Sequence, residues 1–265
     1  MRFIDPHIHM FSRTTDDYQR MAQAGIVAVV EPSFWLGSDR SAPESFWDYF
    51  NHLTTAEPAR ARQYGIAHYV TIGVNPKEAE DVALTNDTIA GWDEFVQREN
   101  TVAIGEIGFN NITANEEASF RRQSLYAQDR GMLIVIHTPH VDKPRGVRRT
   151  VAVMKELGVT AGRVCIDHNT EETMDDAAGL EGCWRGLTVY PIKLSPQRAA
   201  GIIKRWGTDR ILVNSSADWG QSDPLSVIAT AEEMRKVGLS EKDVEKVLYR
   251  NPVEFYSQSG KFEVG

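Results

Sequence analysis

Two histidines, His7 and His9, follow the first apolar run of the chain, Phe3-Ile4. Side chains on an extended strand alternate between faces, so this spacing presents both imidazoles to one side, where both can reach one metal ion. Glu106, His137, His168 and Asp218 have a matching placement, each at or just past the end of a later apolar run (residues 101–104, 132–136, 163–166 and 210–213). Imidazole and carboxylate are the donors that hold divalent transition ions. Six such residues on five separated segments predict one site assembled by folding. Each has a plainer alternative. The histidine pair could be hydrogen-bonded within its strand, Glu106 could cap the next helix, and His137 could be a satisfied core histidine. Asp167 or Asn169 could serve in place of His168, and Asp218 competes with Asp223 and with a helix-capping role. The common placement at strand ends favours ligation for all six.

The elements that must carry these residues alternate. Apolar, β-branched runs at 2–4, 26–30, 66–74, 101–104, 132–136, 164–166, 186–190 and 211–213 are the strand candidates. Amphipathic stretches at 15–24, 42–63, 76–99, 116–130, 145–157, 171–178, 195–206 and 224–237 separate them, and a last helix is expected over 240–255. Strict strand–helix alternation is the signature of a parallel α/β architecture. Short, continuously apolar strands fit a sheet buried on both faces. Ser195-Pro196 and Asp223-Pro224 each supply a helix cap followed by a first-turn proline, and Ser240 with Asp243 supplies a capping box. Gly131, Gly158, Gly207 and Gly238 fall where helices should stop. An open doubly wound sheet would gather its ligands at one switch point. Candidates on strands one, four, five, six and eight converge only if the sheet closes. The expected fold is therefore a single (β/α)8 TIM barrel spanning residues 1–265, with the site at the C-terminal ends of the strands.

Composition narrows the partners. A formal charge of −8 disfavours a broad nucleic-acid surface, which needs a basic excess, but leaves room for a small basic pocket. Two cysteines, Cys165 and Cys183, are too few for a disulfide framework. No stretch approaches the ~20 apolar residues of a membrane helix. The opening Met-Arg-Phe-Ile-Asp-Pro has no signal-peptide core. A cytoplasmic protein with no membrane partner is the expectation, and its oligomeric state is left open.

Asp5-Pro6-His7-Ile8-His9, Gly105-Glu106-Ile107-Gly108, Ile136-His137-Thr138, His168 and Asp218 together resemble the TatD-type metal-dependent hydrolases of the amidohydrolase superfamily. The resemblance runs from residue 3 to Asn251-Pro252-Val253-Glu254-Phe255. It implies two divalent ions, one held by His7, His9 and Asp218 and the other by His137 and His168, with Glu106 bridging them. A bridging carboxylate and hydroxide would keep such ions about 3.5–4 Å apart, suited to activating water against a phosphoryl or carbonyl centre. Asp218 would also accept the proton of the attacking water. Imidazole-rich ligation favours zinc or manganese over magnesium and admits iron.

The resemblance thins outside the metal frame. Gly73-Val74-Asn75-Pro76 stands where Gly-Ile-His-Pro is typical, and Gly108-Phe109-Asn110 where Gly-Leu-Asp is. His137-Thr138-Pro139 replaces His-Thr-Arg, and Ser216-Ala217-Asp218 replaces Glu-Thr-Asp. The loop after strand six is acidic, with Asp167, Glu171 and Glu172, and would repel a polyanion if it faced the pocket. His140, Lys143 and Arg145 after strand five, Tyr190 and Lys193 after strand seven, and Trp219 beside Asp218 are the candidate substrate contacts. Together these features predict a binuclear metal-dependent hydrolase acting on a small phosphate ester or other anionic metabolite. A TatD-like deoxyribonuclease, a lactonase or amidase on the same ions, and a non-catalytic metal- or metabolite-binding protein are the alternatives.

Overall fold

The structure, a computed structural model, describes residues 1–264. Eight strands form one sheet in which spatial order equals chain order and every recorded pairing is parallel. They are β1 (Phe3–Asp5), β2 (Ile26–Pro32), β3 (Ala67–Ile72), β4 (Thr101–Gly108), β5 (Leu133–His137), β6 (Val164–Ile166), β7 (Trp184–Thr188) and β8 (Ile211–Asn214). The seam between the last strand and the first is joined just beyond their ends. There the Ser216 amide donates to the His7 carbonyl at 2.8 Å and the His9 amide to Ala217 at 2.9 Å. Asp5 adds a carboxylate across the same seam, accepting from the amides of His7 and Ser215, both at 3.2 Å. The expected (β/α)8 barrel is the observed one.

Apolar residues account for the two layers. Ile4, Ala28, Val30, Val102, Val135 and Leu212 pack into one buried cluster, which Phe255 and Tyr256 join from the C-terminal segment. Outward residues such as Val29, Val70, Ile104 and Ile136 belong to two further clusters shared with the helices. Those helices are α1 (Thr15–Gln23), α2 (Pro43–Arg62), α3 (Val82–Ile89), α4 (Trp92–Val96), α5 (Ala114–Asp129), α6 (Lys143–Leu157), α7 (Met174–Ala178), α8 (Pro196–Trp206), α9 (Ser226–Lys236), α10 (Glu241–Glu245) and α11 (Asn251–Ser257). Among the described residues, no helix is long and apolar enough to cross a membrane.

Local differences from the sequence expectation have local causes. The single helix expected over 76–99 is a short 3-10 turn followed by α3 and α4. The break falls at Ala90-Gly91, where the Trp47 ring packs so closely that a Cβ on Gly91 would lie 2.5 Å from it. The helix expected over 240–255 opens on the predicted Ser240–Asp243 capping box but passes through a π-helical turn at Lys246–Arg250 before α11. Helix α5 begins two residues earlier than expected, because Thr113 and Glu116 form a second capping box. At Asp223-Pro224 the carboxylate caps a turn instead, accepting from the Leu225 amide, and α9 starts at Ser226.

Candidate metal centre

The β4 strand carries Glu106 further into the mouth than its apolar run implies. Pairing with β5 changes register between Ile104 and Ile107, an irregularity of the kind that re-aims a side chain. Gly105 makes the close approach feasible, since a Cβ there would lie 2.7 Å from the Val135 carbonyl oxygen. The Glu106 carboxylate then becomes the centre of the site. Its Oε1 lies 2.7 Å from His168 Nε2, 3.1 Å from His137 Nδ1 and 3.5 Å from His7 Nε2. Its Oε2 accepts from Asn75 Nδ2 at 3.0 Å. His7, Glu106 and His168 each bring a ligand atom within 4.8 Å of the others. His9 joins through Nε2, 3.2 Å from His7 Nε2.

His7 and His168 are each aimed by a partner behind the ring, as is usual for ligating imidazoles. His7 Nδ1 meets Asp167 Oδ2 at 2.6 Å, and Asn214 Nδ2 donates to both oxygens of that carboxylate. Gly186 leaves room for Asp167, because a Cβ there would fall 1.9 Å from its Oδ1. His168 Nδ1 contacts Thr188 Oγ1 at 2.6 Å and Lys193 Nζ at 3.3 Å. The His168 backbone takes a left-handed φ of 60°, an uncommon conformation for a non-glycine residue and one that concentrates at functional sites. The His9 ring stacks on Phe34 with centroids 3.9 Å apart.

The electrostatics favour a cation. Burial alone would raise Glu106, yet the facing His137 and His7 and the hydrogen bond to His168 hold its carboxyl well below the usual range. Burial pushes His9 and His168 well below their ordinary values and His137 below its own, leaving neutral rings with lone pairs to give. Three buried ring nitrogens, His9 Nδ1 and both nitrogens of His137, have no hydrogen-bond partner. Against the same burial, Glu106 and Asp167 act the other way on His7 and raise it. An ionised carboxylate among imidazoles that burial mostly keeps neutral, some with orphaned nitrogens, is a donor set that fits divalent ions.

The remaining predicted residues divide by position. Asp218 lines the same cavity of about 140 Å³ as Glu106, His137 and His168. It stands apart from the triad, its Oδ1 accepting from Tyr190 Oη at 3.0 Å and the Gly220 amide at 2.7 Å. His140, Tyr190 and Lys193 line that cavity too. Lys143 is buried beneath the β5 loop, donating to Thr138 Oγ1 at 3.0 Å. Burial, reinforced by Lys193, brings its ammonium down to about 7. Trp219 is 49% exposed and packs beside Phe34 at the rim. Arg145 lies outside, on the exposed face of α6, 3.8 Å from Asp142 and lining a separate groove with Arg148 and Arg149. The acidic loop does not face the cavity as a charge wall. Asp167 is turned in behind His7, and Glu171 pairs with Arg198 at the surface.

Sequence reasoning singled out neither Thr188 nor Phe34, and it held Asp167 as a possible substitute for His168 and as one of the acids of the loop after strand six. The available signal for Asp167 was its place at the last position before a ligand on a buried strand. Cavity size alone does not mark the site. A groove of about 490 Å³ at the opposite end of the barrel, lined by residues including Arg62, Tyr69 and Lys261, is larger. A second buried triad, Glu31, Glu57 and His68, also brings ligand atoms within 4.8 Å of one another. It sits between β2, β3 and α2, and Arg60 Nη2 occupies it as a counter-charge, 2.8 Å from Glu57.

Comparison with known proteins agrees with this geometry. The chain is 32% identical over 260 residues to an uncharacterized metal-dependent hydrolase of Methanocaldococcus jannaschii, covering 96% of this chain and 99% of that protein. The crystal structure of a TatD-like protein from Archaeoglobus fulgidus superposes with a TM-score of 0.72 at 23% identity, covering 92% of this chain and 99% of the other. A mutant organophosphorus hydrolase from Deinococcus radiodurans shares the fold with a TM-score of 0.68 at 15% identity, over 96% and 92% of the two chains. The family model described as TatD related DNase matches residues 4–257. With nearly the whole sequence inside that match, the chain belongs to the TatD family of metal-dependent hydrolases.

Proposed function

We propose that this protein is a binuclear metal-dependent hydrolase acting on a small phosphate ester or a related anionic metabolite. The observation that carries this is the single Glu106 oxygen shared at 2.7–3.5 Å among His168, His137 and His7. A carboxylate facing that many neutral or proton-sharing imidazoles suits a bridge between two cations. His7, His9 and Asp218 would hold one ion, His137 and His168 the other. Two such ions, zinc or manganese by donor type, would supply Lewis acidity and acidify a water in the cavity. Asp218, at the cavity wall, accepts the proton of the attacking water. Tyr190 donates to Asp218 Oδ1 and fixes the direction of its carboxylate. Lys193 and His140 line the same cavity and bind the anionic oxygens of the substrate. Asn75 and Asp167 keep Glu106 and His7 in place. The two cysteines, buried and free, suit a cytoplasmic setting.

The test is phosphate release from a panel of phosphomonoesters, and alcohol release from a panel of diesters, by manganese- or zinc-reconstituted protein, beside Asp218→Asn. The parent should turn over at least one ester, and the variant should lose about 10²–10⁴-fold without loss of fold. An equally active variant would remove Asp218 from the role of base. Silence from both would move the reaction to carbonyl substrates.

A second reading, phosphodiester cleavage in DNA, is favoured by the description of the matching family model. Activity on an oligonucleotide that collapses with rising salt would select it.

A further inference from the structure

The mouth of the barrel has two chemically different walls. On the side of the β2 and β8 loops, aromatic rings run from the metal centre toward solvent. His9 stacks on Phe34 at 3.9 Å, Phe34 meets Trp219 at 5.2 Å, and Trp219 meets Trp35 at 6.2 Å. Trp219 follows Asp218 directly and remains 49% exposed. A half-exposed indole backed by aromatic rings leaves an apolar surface without a cover, which an aromatic ligand can bury. On the side of the β5 and β7 loops stand His140 and Lys193, which reach the same cavity. Lys193 Nζ points inward, 3.3 Å from His168 Nδ1. The cavity between the walls holds about 140 Å³. That is room for a reacting group and not for a large body, so anything bigger must lie along the rim.

From this arrangement we infer that the substrate is an aryl-bearing anion. Its hydrolysable group sits over Glu106, its negative charge faces Lys193 and His140, and a planar aromatic ring lies against Trp219 and Phe34. The inference rests on the proposed hydrolase site and specifies what that site selects. An anion without the ring would satisfy the basic wall and leave Trp219 wet. A neutral aryl compound would cover Trp219 and leave Lys193 without an anion. Selectivity therefore requires both features in one molecule.

Binding of two non-hydrolysable probes tests this without depending on turnover. Phenylphosphonate and methylphosphonate carry the same anionic head and differ by the ring. Titration calorimetry on the metal-reconstituted protein should show phenylphosphonate binding about tenfold more tightly. In Trp219→Ala that advantage should shrink to about threefold or less, with methylphosphonate affinity unchanged, and Trp219→Phe should restore most of it. Equal affinities for the two probes in the parent would overturn the inference and leave the hydrolase reading intact. So would an equal weakening of both by Trp219→Ala. If neither phosphonate binds but benzamide outcompetes acetamide, the basic-wall half and the phosphate-ester reading fall together, and the aryl wall stands alone.

Discussion

The chain's seven histidines divide between two places. Five surround the mouth of the barrel: His7, His9, His137, His140 and His168. The other two, His52 and His68, lie with Glu31 and Glu57 in the layer between β2, β3 and α2. Both places hold a buried histidine–carboxylate triad of similar span, yet their chemistry is opposite. In the outer layer the charges are already answered. Burial and the neighbouring Glu57 push the Glu31 carboxyl well above its usual range, and burial drives His68 down to about 4. The contact of 2.7 Å between His68 Nε2 and Glu31 Oε2 thus joins a carboxyl and a ring that burial biases toward their neutral forms. Glu57 accepts from Arg60, Tyr18 and His52. Arg60 in turn donates to the carbonyls of Met10 and Arg13, bracing the segment that follows His9. At the mouth, among the described residues, Lys193 reaches His168 but no lysine or arginine is ion-paired with Glu106, which is kept ionised by the facing imidazoles. Residue type and proximity do not distinguish a metal site from a structural ion cluster. An unanswered charge does.

The sharpest way to break this comparison is to remove one charge from each place. Glu106→Gln keeps the shape but removes the charge, and should reduce metal content and turnover by well over about a hundredfold, read by elemental analysis and kinetics. Arg60→Leu should act on stability instead. It strands Glu57, whose side chain is 4% exposed, while Arg60 itself is 26% exposed. The loss in urea unfolding should thus fall near the lower end for broken buried pairs, about 2–3 kcal/mol, with metal content retained. Asp167→Asn keeps an oxygen toward His7 Nδ1 but loses the charge behind it. Metal affinity should drop by about 10–100-fold, measured by chelator competition. The smallest effect belongs to Glu31→Gln. An amide can still accept from the Phe11 amide and donate to His68, so stability should change by under about 1 kcal/mol and metal content not at all. A Glu31→Gln protein that loses metal as Glu106→Gln does would erase the distinction.

Much of this was legible in the sequence because strand ends are conspicuous. A histidine or carboxylate closing an apolar run is a local signal, and the recurrence of that signal along the chain predicted both the barrel and the convergence of His7, Glu106 and His168 at its mouth. What stayed hidden depends on contacts across the sheet. The register change that lifts Glu106 into the mouth involves Gly105 and Val135 from different strands. Asp167 reads as one of three acids in a loop until Gly186 on the neighbouring strand makes room for it. Arg145 is exposed on the first turn of α6, two residues beyond the buried Lys143, and the sequence does not say which of the two faces inward. The Glu31–His68 pair left a trace, polar residues inside apolar strands, but such a trace does not say which helix supplies the neutralising partner.

The seam between β8 and β1 gives the site a particular dependence on the order of assembly. His7 and His9 come from one side of it and Asp218 from the other, and the hydrogen bonds that join the two sides run through His7, His9, Ser216 and Ala217 themselves. Closing contacts between residues so far apart in the chain is entropically the slowest kind of step. A chain whose first and last strands have not met can still bring Glu106, His137 and His168 together from β4, β5 and the end of β6, but it lacks His7 and His9 held against Asp218. Closure of the seam is thus the step that would complete the donor set.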